Sequence, residues 1–310
     1  MLDKEMGTTL ERRILIVGTG ALATLFASRL SAAGVTVGML GTWPAGLEAL
    51  QREGARLLGP DGIENAFRVQ ASAEPADFRG AHLALVLVKA WQTERAAAQL
   101  MHCLAADGLA VTLQNGLGNY EILARTLGVQ RAALGVTTTG ATLLGPGLVR
   151  PGGDGIVSLQ NHPGMDVLTS LLRQAGFNVQ QVADARALAW GKVIINAAIN
   201  PVTALLRVPN GMLLERADAR WLMSRLASEA ADVATAEGIR LPYKDPVAAA
   251  RDVARRTADN YSSMLQDIRR GARTEIDAIC GAVVRTGQAH GMAAPVNQVC
   301  WRLVRALSPN

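Results

Sequence analysis

The segment ILIVGTGALA, residues 14–23, decides the fold of the amino-terminal half. Its β-branched run ends at Gly18, and residues 21–33 then show helical periodicity up to Gly34, a good helix C-cap. A second β-type run follows over residues 35–40. Strand, glycine turn, helix and second strand within about thirty residues predict a βαβ unit of a parallel sheet.

The glycine loop fits the pattern G-x-G-x-x-G/A in the context that a dinucleotide needs. Gly18 makes the tight turn, Gly20 leaves room for a pyrophosphate, and the small Ala23 lets the helix pack closely on the strand. The helix N-terminus offers free N–H groups and a positive dipole end to the phosphates. The alternative is a glycine-rich turn without a ligand. The predicted cofactor-binding residues here are Gly18, Thr19, Gly20, Ala21, Leu22 and Ala23.

The end of the second predicted strand carries no residue that selects one dinucleotide. An acidic residue there would bind the ribose 2′-hydroxyl of NAD, and an arginine would accommodate the 2′-phosphate of NADP. The segment reads VGMLGTW over residues 37–43 and contains neither. The residues by themselves therefore leave NAD and NADP both open.

The remainder of the chain predicts more parallel strands and then a helical region. Apolar runs over residues 83–88 and 109–113 are typical of central parallel strands. The Gly/Pro-rich residues 140–155, with short β-type runs on either side such as 156–159, predict an antiparallel hairpin at the end of the sheet. Helix formers dominate after residue 183. Helix breaks are predicted at Pro201 and at residues 209–211, 238–246 and 291–295. We therefore predict an α/β nucleotide-binding domain over residues 1–183 and an all-α domain over residues 184–310.

The composition excludes several classes of protein. Hydrophobic residues make up 49% of the chain and charged residues 18%, which favours a globular core over disorder. The net charge of +5 comes from scattered arginines without interleaved aromatics, so we expect an anionic small molecule and no nucleic-acid partner. The three cysteines and four histidines show no metal-ligand spacing, and no metal is predicted. No signal peptide or membrane-length apolar run is apparent, so we expect a cytoplasmic protein, whose first twelve residues form a short mobile leader.

Polar residues follow two of the predicted strands. Lys89 closes one apolar run, and Asn115 stands in the turn after another. Ligands of open α/β sheets bind beyond the carboxyl ends of the strands, so both residues are candidates for the cofactor site. The alternatives are a lysine that marks a surface exit and an Asn-Gly turn without further function.

The stretch 190–201 places three polar residues on an apolar helix. Lys192, Asn196 and Asn200 stand at i, i+4 and i+8 and therefore share one helical face. Buried polar groups need partners, so we predict that this strip faces a ligand; the alternative is a surface stripe. Asn260 and Ser263, at i and i+3, are expected to face the same way on a later helix. Thr274 is expected to cap a further helix with Glu275 as an acid in its first turn, which would be a sufficient structural explanation of Glu275.

Ordered sequence blocks resemble one known family over nearly the whole chain. The blocks are GTGALA (18–23), VKAWQ (88–92), QNGLGN (114–119), WGKVIINAAINPVTAL (190–205), SSMLQDIRRGARTEID (262–277) and AHGMAAPVN (289–297). Together they resemble the ketopantoate reductase family. The resemblance implies an amino-terminal Rossmann domain, an all-α carboxyl-terminal domain of the 6-phosphogluconate-dehydrogenase type, and NADPH-dependent reduction of 2-dehydropantoate to pantoate, a step of pantothenate biosynthesis.

The resemblance also implies roles for particular residues. Lys192 resembles the catalytic lysine of the family, and Glu275 resembles its essential acid. Lys89 matches a lysine near the cofactor. The polar residues that match cofactor-side and substrate-side positions are Asn115, Asn196, Asn200, Asn260 and Ser263. The chain departs from the family pattern in lacking the arginine after the second strand and in carrying Cys280 where asparagine is common.

Two other functions remain open at this level. A related reductase of another 2-keto acid on the same scaffold would carry the same blocks. A non-catalytic NAD(P)-binding regulator would need only the glycine loop, so the presence of both Lys192 and Glu275 favours an enzyme. A small 2-keto acid is the expected partner, and a homodimer is left open.

Overall fold

The chain divides into two compact units in the computed structural model, which describes residues 13–308. The sheet unit comprises Met1–Gln114 and Asn119–Ala185. The helical unit comprises Asn115–Gly118 and Arg186–Asn310, so it takes one short loop from the earlier part of the chain. The expected leader over the first twelve residues lies outside the described residues.

The sheet unit alternates strands and helices. Its strands are β1 (Arg13–Val17), β2 (Thr36–Leu40), β3 (Ala55–Leu58), β4 (Glu64–Phe67), β5 (Gln70–Ser72), β6 (Ala81–Val86), β7 (Leu104–Thr112), β8 (Ala132–Thr137), β9 (Ala141–Gly145), β10 (Leu148–Pro151), β11 (Ile156–Gln160) and β12 (Asn178–Val182). Its helices are α1 (Ala21–Ala32), α2 (Pro44–Glu53), α3 (Thr93–Cys103), α4 (Asn119–Leu127) and α5 (Met165–Gln174).

The predicted parallel sheet is confirmed. Eight strands run in the order β12-β11-β8-β7-β6-β1-β2-β5, and every neighbouring pair is parallel except β8 with β11. Strand β1 is buried on both faces, because Ile14 and Ile16 enter one hydrophobic cluster while Leu15 and Val17 enter another. A sheet covered on both faces needs such continuous apolar strands, since successive side chains point to opposite faces.

The predicted antiparallel pairing of the runs that flank residues 140–155 is confirmed, because β8 and β11 pair antiparallel near the end of the main sheet. The residues between them form a second hairpin that the sequence did not predict. Strands β9 and β10 pair antiparallel within a separate four-stranded sheet of order β4-β3-β10-β9. Val149 of β10 pairs parallel with Leu57 of β3 and is fully buried there. This lateral pairing links segments far apart in sequence, and no local pattern reveals it. Only the following strand, β11, joins the main sheet, antiparallel to β8.

The helical unit is built around one long central helix. Its helices are α6 (Ala185–Leu206), α7 (Met212–Glu215), α8 (Ala217–Ala236), α9 (Pro246–Arg256), α10 (Ser263–Arg269), α11 (Cys280–Ala289) and α12 (Pro295–Leu307). The predicted break at Pro201 is wrong, because α6 continues through it. Proline removes one backbone hydrogen bond. The buried residues on both sides of it, among them Ala198 and Val202, hold the helix in place through tertiary packing.

Helix α6 is also long and apolar enough to cross a membrane by length and composition. No single apolar run of that length stands out in the sequence of α6, because Lys192, Asn196 and Asn200 interrupt it. Within the protein, 72% of the apolar window is buried, so α6 has the burial of a core helix.

A buried carboxylate from one helix caps another. The N-cap residue of α12, Ala294, has no side chain that can accept a hydrogen bond. Glu229 of α8 caps α12 instead. Its Oε1 accepts a hydrogen bond from the Val296 N–H at 3.0 Å, and its Oε2 accepts one from the Asn297 N–H at 2.9 Å. The Asn297 Nδ2 also donates to Oε2, at 3.1 Å. The orphan donors of a helix start are thereby satisfied from outside the helix.

The replacement Glu229→Ala is expected to lower the free energy of unfolding by about 2–4 kcal/mol, because it leaves buried donors of α12 unpaired. Urea unfolding followed by circular dichroism measures the change. Asp232→Ala, at an exposed position on the same helix, is the matched control and should change stability by about 0.5 kcal/mol or less. Equal stability losses in the two variants would contradict a capping role for Glu229.

Candidate active site

The local backbone conformation and a close backbone neighbour both require glycine at position 18. Its φ of 133° lies in the region that favours glycine, and its N–H donates to the Leu40 carbonyl at 2.8 Å. An added Cβ would stand 3.0 Å from the Leu87 carbonyl oxygen. The turn after β1 therefore passes directly against the backbone that follows β6, and a side chain would force them apart.

Gly20 is not required in this way. Its φ of −86° is open to any residue, and an added Cβ would have no other atom within 4 Å. Gly20 is the N-cap of α1, which has no side-chain cap and no acidic residue in its first turn. The open space and the uncapped N–H groups of residues 21–23 fit the diphosphate of a dinucleotide, which needs a close approach to the backbone at a helix N-terminus.

The residues after β2 carry no charge. Gly41 lies against Thr19, because an added Cβ at Gly41 would stand 2.5 Å from the Thr19 Cγ2. Thr42 and Trp43 follow and are exposed. The structure therefore agrees with the sequence in showing neither a carboxylate nor a guanidinium among residues 41–43.

A polar network joins the loops after β6 and β7. The Gln114 Nε2 donates to the Val88 carbonyl at 3.0 Å and to the Thr93 Oγ1 at 2.8 Å. The Thr93 Oγ1 also lies 2.8 Å from the buried Asn119 Oδ1. Sequence reasoning missed Gln114, Thr93 and Asn119, although two of them stand in the QNGLGN block. Their hydrogen bonds hold the loop that carries Lys89. Lys89 is half-buried, and its backbone N–H donates to the Gln92 Oε1 at 3.2 Å.

In the helical unit, Asn115 binds Glu275. The Asn115 Nδ2 donates to the Glu275 Oε2 at 3.3 Å across 160 residues of sequence. The Leu117 N–H donates to the Ala278 carbonyl at 2.9 Å, and an added Cβ at Gly116 would stand 2.5 Å from the Ala278 Cβ. The loop 115–118 is thus seated on the turn that carries Glu275.

Glu275 itself is not the first-turn acid of a helix, so that expectation is wrong. Helix α11 begins only at Cys280, and Glu275 lies in a turn closed by the Ala278 N–H donating to the Glu275 carbonyl at 3.0 Å. Thr274, the expected cap, lies instead 3.2 Å from the Ser308 hydroxyl. Glu275 is buried, and a helix dipole no longer explains its presence.

The pKa of Lys192 is lowered by its surroundings in the helical unit. It is half-buried on α6 between buried apolar neighbours. Burial lowers its pKa to about 8, although the nearby Glu275 carboxylate acts to raise it. A lysine with a pKa near neutrality is able to donate a proton and to exist in either state under physiological conditions.

Asn196 and Asn200 continue the polar strip of α6. Asn200 is buried and Asn196 is half-buried, and within residues 13–308 neither side chain makes a hydrogen bond to another residue. Buried amides are nearly always paired, so unpaired ones beside Lys192 are consistent with a polar ligand. The shared helical face that the spacing predicted is present in α6.

Asn260 and Ser263 do not share a helical face, which corrects the prediction. Helix α10 begins at Ser263, so Asn260 precedes it, and both residues are exposed. The buried serine is Ser262, whose Oγ accepts from the Leu265 N–H at 3.2 Å and lies 2.7 Å from the Thr203 Oγ1 of α6. Ser262 is therefore the N-cap that ties α10 to α6.

The cysteines are structural. Cys103, Cys280 and Cys300 are free and buried, and burial raises the pKa of each thiol. Cys280, at the position where the resembled family often has asparagine, is fully buried in the core of the helical unit. Over residues 13–308, no group of three or more histidines, cysteines or acids is arranged to hold a metal ion.

Two alanine variants separate the fold from the ligand site. Gly18→Ala is expected to lower thermal stability, because it strains the backbone against Leu87. Gly20→Ala should leave stability unchanged and weaken dinucleotide binding by roughly tenfold or more, because its methyl group enters open space beside the helix N-terminus. Thermal unfolding and calorimetric titration with NADPH and NADH measure the two effects. Unchanged dinucleotide affinity in Gly20→Ala would refute this loop as the diphosphate site.

The comparisons with known proteins agree in both halves of the chain. Residues 14–164 match the family model of ketopantoate reductase PanE/ApbA, and residues 184–308 match that of the ketopantoate reductase PanE/ApbA C terminal. A 2-dehydropantoate 2-reductase of Archaeoglobus fulgidus is 37% identical, covering 96% of this chain and 98% of that protein. One of Halobacterium salinarum is 34% identical, covering 94% and 98%.

Solved structures show the same architecture. A PanE/ApbA family ketopantoate reductase from Ralstonia eutropha matches with a TM-score of 0.89 at 33% identity, covering 95% of this chain and 98% of that one. A ternary structure of D-mandelate dehydrogenase with NADH and anilino(oxo)acetate also matches with a TM-score of 0.89, at 26% identity and the same coverage. The family models and the curated relatives at 34–37% identity show that the chain belongs to the ketopantoate reductase PanE/ApbA family, as its sequence blocks predicted.

Proposed function

We propose that this chain is an oxidoreductase that reduces 2-dehydropantoate to pantoate with a reduced nicotinamide dinucleotide. The observation that carries the proposal is the half-buried Lys192 beside the buried Glu275, which Asn115 in turn binds. A regulator that only senses a dinucleotide would have no need of this arrangement. The names of the curated relatives supply the substrate.

Different residues would bind the dinucleotide and donate the proton in the proposed reaction. A bound dinucleotide would supply the hydride, and residues 18–23 would hold its diphosphate at the start of α1. The Lys192 ammonium would donate a hydrogen bond to the ketone oxygen and then give its proton as the alkoxide forms. Its low pKa makes that transfer easier than from an ordinary lysine.

The remaining polar residues would bind the substrate. Glu275 would accept a hydrogen bond from the distal hydroxyl group and hold the Lys192 ammonium in place. Asn196 and Asn200 would pair with the carboxylate or hydroxyl through side chains that are otherwise unpaired. Ser263 and Asn260 belong to this proposal through the family resemblance, and their exposure leaves them accessible to a ligand.

For the cofactor, the family resemblance favours NADPH. The uncharged residues after β2 favour neither dinucleotide, whereas the NADH-bound structures of D-mandelate dehydrogenase favour NADH. These observations also support a second candidate function, the NADH-dependent reduction of another 2-keto acid. Both candidates use the same lysine and differ in the substrate and the dinucleotide.

The deciding experiment follows the oxidation of NADPH and of NADH by absorbance with the purified protein. The substrates are 2-dehydropantoate, phenylglyoxylate (the keto acid that corresponds to mandelate) and pyruvate. Oxidation of NADPH that is fastest with 2-dehydropantoate supports the first proposal. Preference for phenylglyoxylate with NADH supports the second. Absence of turnover with every pair would overturn both.

Replacing the proposed proton donor tests its role. Lys192→Met keeps the volume of the side chain and should lower kcat by roughly 10²- to 10⁴-fold, because the general acid is lost. Lys244→Met, at an exposed position in the same unit, is the control and should keep full activity. Turnover of Lys192→Met within a few-fold of the parent would rule out proton donation by this residue.

The pH dependence follows from the pKa of Lys192. Only the protonated lysine donates, so kcat of the reduction should fall as the pH rises through about 8. Glu275→Gln removes the charge that raises this pKa, so the falling limb should move to lower pH. Glu215→Gln, an exposed control, should leave the limb in place. A limb at the same pH in Glu275→Gln would contradict the coupling between Lys192 and Glu275.

A further inference from the structure

Asp277 lies two residues after Glu275 and is held by two other helices. Its Oδ1 accepts a hydrogen bond from the Trp301 Nε1 of α12 at 2.8 Å, and its backbone carbonyl accepts from an Arg285 Nη2–H of α11 at 2.9 Å. Arg305 of α12 is also near, with its Nε 3.7 Å from Oδ1. These contacts hold the turn at Asp277 against α11 and α12.

The bond to Trp301 is the dominant one. Hydrogen bonds to a charged group are roughly twice as strong as neutral ones, whereas exposed ion pairs contribute little. Asp277 and Trp301 are only partly exposed. The two ion-pair partners of the Asp277 carboxylate are exposed, namely Arg305 and Arg273, whose Nη2 lies 3.5 Å from Oδ2. The close approach of the indole to α11 depends on Gly281, where an added Cβ would stand 2.9 Å from the Trp301 ring.

The turn that contains Asp277 positions the acidic site, which consists of the Glu275 carboxylate and its hydrogen-bond donor Asn115. Glu275 belongs to it directly, and the Ala278 carbonyl receives the Leu117 N–H, which seats Asn115 beside Glu275. A shift of the turn would therefore move the carboxylate and its hydrogen-bond donor together.

We propose that the hydrogen bond from Trp301 to Asp277 is a positioning device that sets the place of Glu275, together with its donor Asn115, relative to Lys192. Asp277 and Trp301 are positioning residues, since they act through Glu275. The inference rests on the proposed function for its catalytic consequence, and its geometric part is measurable without turnover.

The test uses the full chain and two variants of the bond. Trp301→Phe removes the indole N–H and keeps an aromatic ring for the neighbouring guanidinium groups. Asp277→Asn removes the charge of the acceptor. Arg302→Gln is the matched control, because Arg302 lies 5.0 Å from the Trp301 ring centroid and makes no hydrogen bond or ion pair with Asp277. Thermal unfolding establishes that each variant is folded, and Trp301→Phe serves alone if Asp277→Asn does not fold.

Two readouts are followed. Displacement of the acid should lower kcat by roughly 10- to 100-fold, with a smaller change in KM. The pH dependence of amine acylation at Lys192, measured by mass spectrometry, should move to lower pH as the influence of Glu275 weakens. The chain has only four lysines, so the labelled peptides are easily resolved. The double variant Asp277→Asn/Trp301→Phe should lose no more than the larger single loss, because both remove one bond.

The outcomes separate the two proposals. An inactive parent protein would count against the proposed function, while the Lys192 acylation profile would still test the positioning bond. An active parent with unchanged kcat and acylation profile in Trp301→Phe would overturn the inference. So would an equal loss in Arg302→Gln, or additive losses in the double variant.

Discussion

The interaction between the Lys192 ammonium and the Glu275 carboxylate is the constraint around which the helical unit is arranged. Burial disfavours the charged lysine, and the nearby acid opposes that effect without cancelling it. This balance requires α6 to be packed on most of its surface and Glu275 to be held away from water. The turn at residues 275–279 and the loop 115–118 hold Glu275 through the hydrogen bonds of Asn115 and Leu117.

The sequence was most informative where structure is local. The βαβ unit at residues 14–40 followed from apolar runs and glycine positions, because strand and helix periodicities are visible within a short window. The spacing of Lys192, Asn196 and Asn200 likewise predicted one face of α6. The structure adds that Gly20 combines open space with a helix start that has no side-chain cap.

The predictions that were wrong concern contacts between distant segments or helix ends. Proline at position 201 is tolerated because buried neighbours hold α6 together, which overrides local propensity. Asn260 and Ser263 were placed on one helix because the true cap, Ser262, was not recognised. The hydrogen bonds of Gln114 and Asp277 join residues from different elements, and no single-sequence pattern identifies such partners. The family resemblance pointed to the Asn115 and Glu275 positions, but only the structure shows that they bind each other.

The helical unit is not one continuous stretch of chain, since it includes Asn115–Gly118. Cutting the polypeptide after Ala185 would therefore not yield two self-sufficient pieces. The carboxyl-terminal piece would leave the Ala278 carbonyl and the Glu275 carboxylate without their donors from Leu117 and Asn115. During synthesis on the ribosome, the same loop emerges long before residues 275–279, and the acidic site is completed only when nearly the whole chain has been made. The contact between Asn115 and Glu275 therefore forms late, because it joins segments that are 160 residues apart in sequence.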